Sequence, residues 1–202
     1  LLEFLETEKM ADDTILIFMT DNGSAGGDYL AGESPRQSGR IYGWPKDPAE
    51  NANMRGGKSS AYDGGHRVPF FIRWSGGKLG EPRSINTLAA HLDVTPTLME
   101  LCNLDRPEGW PQLDGQSLAP LMQNADVQWP ERTLHTQMHG GNGFVKPGDP
   151  WEIGTAMTER WRLVEGKELY DIVADPAQRN DVSTDHPKVV ARLTEQHLSW
   201  FK

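Results

Sequence analysis

Five consecutive apolar side chains, Ile15, Leu16, Ile17, Phe18 and Met19, stop abruptly at Thr20, Asp21, Asn22 and Gly23. The run has no polar alternation, which predicts a strand over residues 14–20 covered on both faces, as in the parallel sheet of an α/β domain. Ahead of it, Leu1, Leu2, Phe4 and Leu5 precede Glu6, Thr7, Glu8 and Lys9. That pattern predicts the second half of an amphipathic helix leading into the strand, and a polypeptide that extends upstream. A second apolar run predicts a strand over residues 68–74, and residues 85–92 suggest a weaker one. Thr95 as N-cap and Pro96 at the first helical position then start a helix whose buried side is Leu98, Met99, Leu101 and Cys102, which makes Cys102 a core thiol. A shorter helix follows, with Ser117 as its N-cap and Leu118, Leu121 and Met122 as its apolar side.

From Trp129 the texture changes. Residues 132–138 and 154–165 predict short strands of mixed polarity, hence an antiparallel sheet with one wet face. A terminal helix begins at His186 and Pro187 and places Val190, Leu193, His197 and Phe201 at helical spacing, ready to pack on that sheet. The fold class is therefore α/β, with a mixed or parallel sheet core and helices over residues 1–125. A small antiparallel-sheet domain with a terminal helix occupies residues 126–202. Between the first two strands, residues 24–52 are rich in Gly, Pro, Ser and charge and too long for a simple connection, the mark of a functional or disordered loop.

Charge narrows the partners. Lys+Arg of 20 against Asp+Glu of 29 leaves a net charge of −9, which argues against a nucleic-acid backbone or an anionic membrane surface as the main partner. No apolar run reaches the length of a membrane span. The single cysteine excludes an internal disulfide framework and a Cys-rich zinc site.

Candidate chemistry sits at the strand ends. In open α/β sheets ligands bind beyond the carboxyl ends of the strands, so Asp21 and Asn22, with Gly23 allowing close backbone approach, suit a hard cation. The same three residues are also ordinary strand-ending turn chemistry. Downstream, Arg55-Gly56-Gly57-Lys58 and Asp63-Gly64-Gly65-His66-Arg67 each set a glycine pair beside a basic residue. Lys58 can bring a point charge to an anionic ester, and Arg67 a planar fork. The competing reading is a glycine loop with solvated charges. His66 and His139, both next to glycine, can line a substrate crevice or remain solvated loop residues; His91, His135, His186 and His197 are structural.

TDNG after an apolar strand, RGGKSSAYDGGHRVPFFIRW, DVTPTLMEL, DGQSLAPLM and WRLVEGKELYDIVADPAQRND run through nearly the whole chain in that order. Together they resemble the carboxyl-terminal half of the sulfatase family, within the alkaline-phosphatase-like superfamily. The resemblance implies that Asp21 and Asn22 are two ligands of a calcium ion and that Lys58 is a catalytic contact to the sulfate ester. It further implies an alkaline-phosphatase-like α/β core followed by a smaller domain of four antiparallel strands and a packed helix. A sulfated small molecule or sulfated glycan as substrate, and a periplasmic or secreted location, are its remaining implications.

The family's nucleophile is a formylglycine made from a Cys-x-Pro-Ser-Arg motif or its serine variant, and neither occurs here. Cys102 has Arg106 four residues on, but Asn103, Leu104 and Asp105 between them do not match, and the position reads as a helix end. The formylglycine and the remaining metal carboxylates are expected upstream. This chain by itself is expected neither to turn over substrate nor to bind calcium tightly, and to self-associate through an exposed sheet. Three function classes remain: a sulfuric ester hydrolase, a phosphodiesterase or phosphonate hydrolase of the same superfamily, and a non-catalytic binding module. GGK with DGGHRVP favours the first, because the second depends on two metals and further His and Asp ligands that this sequence does not supply.

Overall fold

The computed structural model describes residues 1–23, 52–77, 79–124, 126–137 and 148–202. The expectations for His139 and for nearly all of the 24–52 loop lie outside the described residues. In chain order the elements are α1 (Leu2–Thr7), β1 (Leu16–Met19), the one-turn α2 (Asp63–His66), β2 (Phe70–Arg73), α3 (Val94–Leu101), α4 (Ala119–Gln123), β3 (Leu134–Thr136), β4 (Thr155–Met157), β5 (Trp161–Val164), β6 (Glu168–Asp171) and α5 (Pro187–Phe201). They divide into two compact units, one of Leu1–Phe18 with Phe71–Glu131, the other of Met19–Phe70 with Arg132–Lys202.

In the first unit β1 and β2 pair in a two-stranded sheet. The cover expected on both faces is missing among the described residues: Phe18 is 60% and Phe71 66% exposed, with their rings 6.2 Å apart. The Asp12 carbonyl ties the entry of β1 to the exit of β2, accepting from Trp74 Nε1 at 3.1 Å and from the Gly76 amide at 3.2 Å.

The weak strand over residues 85–92 does not form, and α3 is capped by Asp93 rather than Thr95. One residue explains both. The buried Asp93 carboxylate accepts the Ala90 and Gln116 amides, each at 2.8 Å, and so takes a backbone donor that a strand ladder would need. Thr97 completes the join. Its hydroxyl donates to the Asp93 carbonyl at 2.6 Å and accepts the Leu118 amide at 2.8 Å, linking α3 to the entry of α4. Pro96 falls in the first helical turn, where a missing N–H breaks no intrahelical bond. Cys102 is exposed at the end of α3 and is not a core thiol, since Thr97 supplies that helix's buried contact. Leu118, not Ser117, is the N-cap of α4, although the Ser117 hydroxyl still accepts the Ala119 amide at 3.2 Å. Leu118, Leu121 and Met122 are buried as expected.

In the second unit the four strands run antiparallel in the order β3-β4-β5-β6, with Thr155 opposite Val164 and Leu163 opposite Leu169. Ala156, Trp161, Leu163 and Leu169 form one core with Leu193 of α5, flanked by Val182, Val189 and Val190. α5 starts at Pro187 after the N-cap His186 and buries Leu193 and His197, as its periodicity requires.

The sheet has no wet face at its centre. All residues of β4 and β5 are buried, because Val164 and Tyr170, on the side away from α5, pack against Ala61 and Tyr62. The polar residues that made β5 read as half-solvated include Arg162, which is 5% exposed.

His135 of β3 and His197 of α5 face each other, Nδ1 to Nδ1, at 3.1 Å, and His197 Nε2 lies 2.6 Å from the Pro150 carbonyl. Nε2 of His197 must therefore donate; burial lowers the pKa of both rings, so both are neutral at pH 7 and the Nδ1 of His197 accepts from His135 Nδ1–H. Trp151 stacks on His197 at 3.9 Å and Trp200 on His135 at 5.1 Å. Burial, with the neighbouring His197 second, lowers the His135 pKa to about 4. A folded-state value below the unfolded 6.5 means that stability is fully present above pH 6.5 and is lost as pH falls towards 4. We expect urea unfolding of the full-length protein to show about 1 kcal/mol less stability at pH 5 than at pH 7, half the full linkage value because the ring is only half buried. His135→Phe should shrink that difference.

Candidate functional site: glycine contacts gather three motifs

Asp21 and Asn22 follow the carboxyl end of β1, where the Thr20 hydroxyl donates to the Asn22 carbonyl at 3.2 Å and closes a short turn. Asp21 is exposed and Asn22 half-buried, and the side chain of neither makes a hydrogen bond to any described residue. The next amide, Gly23, donates to the Gly65 carbonyl at 3.0 Å. A Cβ on Gly23 would lie 1.8 Å from the Gly64 carbonyl oxygen, so these backbones meet at a distance only glycine permits.

Gly65 is equally confined. A Cβ there would stand 2.2 Å from the Ser60 carbonyl oxygen and 2.8 Å from that of Gly57. The Gly64 amide donates to the Arg55 carbonyl at 2.8 Å and the Ser60 amide to that of Gly57 at 3.0 Å. The GGK segment is thus folded back on the α2 turn, and the turn on DNG. Lys58, half-buried, directly follows a residue that touches Gly65, and Asn22 directly precedes one. Gly23→Ala should force the two backbones apart and cost about 1–3 kcal/mol by overpacking, read as a lower denaturant midpoint of the full-length protein.

The sheet of the second unit grips this knot from below. Arg162 Nε donates to Asp63 Oδ1 at 2.9 Å, with the side chains 6% and 1% exposed. Burial pushes the Arg162 pKa down and the Asp63 carboxylate pushes it back up. Gln178 Oε1 accepts the Asp63 amide at 2.8 Å, and Thr155 Oγ1 donates to the Ala61 carbonyl. On the rim, Arg55 donates to Tyr170 Oη at 2.7 Å and lies 3.9 Å over the Tyr62 ring, while Tyr62 Oη donates to Glu168 at 2.7 Å. Burial and then the Glu168 hydrogen bond raise the pKa of both tyrosines, so both stay protonated donors.

His66 turns into this cluster. Its Nε2 is 3.9 Å from Asp63 Oδ1 and has no hydrogen-bond partner among the described residues; neither has Asp63 Oδ2 or Gln178 Nε2. Burial lowers the His66 pKa, with Asp63 acting against that shift and Arg162 with it, so the ring is neutral at pH 7. Arg67 is exposed, its amide bound to the Asp63 carbonyl at 2.7 Å.

Residues 1–104 match the family model described as Sulfatase, and residues 56–200 that described as N-sulphoglucosamine sulphohydrolase, C-terminal. The chain belongs to the sulfatase family. An N-acetylgalactosamine-6-O-sulfatase of Bacteroides thetaiotaomicron is 29% identical over 96% of this chain and 38% of its own length. An ulvan-active sulfatase of Formosa agariphila is 41% identical over 72% of this chain and 35% of its own. A structure solved in work on glycosaminoglycan metabolism by Bacteroides thetaiotaomicron superposes with a TM-score of 0.69 at 26% identity, covering 98% of this chain and 41% of the other. The α/β fold expected from the sequence is the one these sulfatases share, and the chain spans less than half the length of each relative.

Two of the stretches that carried the sulfatase resemblance, TDNG and the one that runs from RGGK to DGGH, are those the glycine knot joins. Sequence reasoning missed Asp63, Arg162 and Gln178. Asp63 stood inside the DGGH motif, but Arg162 and Gln178 lie 99 and 115 residues from it, and no local pattern joins them.

Proposed function

We propose that this chain is the carboxyl-terminal part of a sulfuric ester hydrolase, in which Lys58 contacts the sulfate ester and Asp21 and Asn22 contribute to a calcium site. The observation that carries this reading is the meeting of DNG and GGK at Gly65. Calcium takes roughly 6–8 hard oxygen ligands. The Asp21 and Asn22 oxygens are of that kind and unengaged by described residues, and no cluster of three or more His, Cys, Asp or Glu exists among those residues. They therefore fit as part of a calcium ligand set. Such an ion, when bound, offsets negative charge on the sulfate.

The chain's own chemistry rests on Lys58. As the sulfur–oxygen bond breaks, charge moves to the bridging oxygen, and an ammonium carried on a backbone that the knot fixes is stabilising there more than in the ground state. Arg67 and the neutral His66 are the further substrate contacts in this reading. The formylglycine belongs to the upstream part of the enzyme. The named relatives act on a sulfated N-acetylgalactosamine and on ulvan, which supports a sulfated glycan as substrate class.

No helix among the described residues is long and apolar enough to cross a membrane, and a periplasmic or secreted location accords with such a substrate. With Phe18 and Phe71 exposed, this chain expressed alone should self-associate in light scattering. The test of function is sulfate release by the full-length protein, with formylglycine and calcium content verified, from an aryl sulfate and from sulfated N-acetylgalactosamine. No release from either substrate would overturn the reading.

A further inference from the structure

We propose that Arg162 and Gln178 are positioning residues for the site, acting through Asp63 on the segments that carry Lys58 and Asn22. This rests on the sulfatase reading above. Asp63 opens α2 and is held at both ends: its carboxylate by Arg162 of β5 and its amide by Gln178, both themselves buried. Two residues on, Gly65 accepts the Gly23 amide and sits against the Gly57 carbonyl. Movement of Asp63 therefore moves Gly65. Because that glycine touches both motifs without intervening side chains, there is no soft contact to absorb the displacement.

Arg162 suits this role better than lysine. Its planar guanidinium directs Nε to Asp63 while a terminal nitrogen, Nη1, donates to the Thr158 and Trp161 carbonyls where β4 turns into β5, so the fork fixes an angle as well as a distance. Asp63, Arg162 and Gln178 touch no reacting group in this reading. Their effect is on where Lys58 stands, and a displacement near 1 Å from a distant substitution can cost up to about a hundredfold in rate.

The experiment uses the full-length protein with Arg162→Gln, Arg162→Lys and Gln178→Ala, and with Arg160→Ala as control. Arg160 immediately precedes the same strand but pairs with Asp171 at the surface. At a temperature well below each unfolding midpoint, Arg162→Gln and Gln178→Ala should lower kcat about tenfold with KM changed less than about twofold, and Arg162→Lys should recover part of that loss. Amide hydrogen exchange at Gly23 and Gly64 should accelerate about tenfold in the same variants and not in Arg160→Ala.

Unchanged exchange at those two glycines in Arg162→Gln and Gln178→Ala would overturn the proposal, as would an unchanged kcat with only a lowered unfolding midpoint. Should Arg162→Gln fail to fold, Gln178→Ala decides alone. A wild type that releases no sulfate would instead sink the functional reading, while the exchange data would still decide whether Asp63 holds the knot.

Discussion

Lys58→Ala should lower the turnover number of the full-length enzyme by about two to three orders of magnitude, the range seen when one preorganised donor to a reacting oxyanion is removed. KM should change much less. The reason is where charge develops: the ammonium meets an ester oxygen that becomes more negative only as the bond to sulfur breaks, so the interaction is strongest in the transition state. The knot makes the effect large, because Gly57 is pressed against Gly65 and the lysine starts from a fixed backbone. Steady-state kinetics on an aryl sulfate, with calcium content checked in both proteins, decide it. A mutant that keeps its turnover number and only raises KM would show that Lys58 gathers anions without assisting the chemical step.

Arg162→Met should destabilise the full-length protein by about 3–5 kcal/mol, since it leaves the Asp63 carboxylate buried without its counter-charge. Its other oxygen, Oδ2, already has no hydrogen-bond partner among the described residues, so Arg162 is the side chain on which this carboxylate depends there. The double variant Asp63→Leu with Arg162→Met should recover most of that stability, because an apolar pair of similar volume avoids the desolvation that both charges suffer. Urea unfolding of the wild type, both single variants and the double variant gives the coupling energy. Additive losses would mean that the two side chains do not act as a pair.

These two residues differ in how they could be found. Lys58 was legible because it stands in a short motif, with glycines on one side and DGGHRVP a few residues on. Arg162 was not, because in WRLV it occupies the alternate position that normally faces water. Only the packing of residues 55–63 over that face of the sheet made it a buried partner. Asp93 repeats the lesson. The local pattern puts the helix start at Thr95 and Pro96, and the structure puts the cap at Asp93, whose carboxylate holds the amides of Ala90 and Gln116, the second of them 23 residues away.

By itself the sequence determined the elements whose signal is local: the apolar runs of β1 and β2, the start of α5 at Pro187, strand-forming stretches over residues 132–138 and 154–165, and the order of motifs that marks the sulfatase family. Each depends on neighbours within a turn or a strand, where spacing and side-chain type are sufficient. Only the tertiary structure decided that the second face of that sheet is covered, that Cys102 is exposed, and that DNG, GGK and DGGH meet at Gly65. Those outcomes depend on which distant backbone arrives at a surface. A glycine that admits such an approach reads in sequence like any loop glycine, because what distinguishes it is the atom that comes to lie against it.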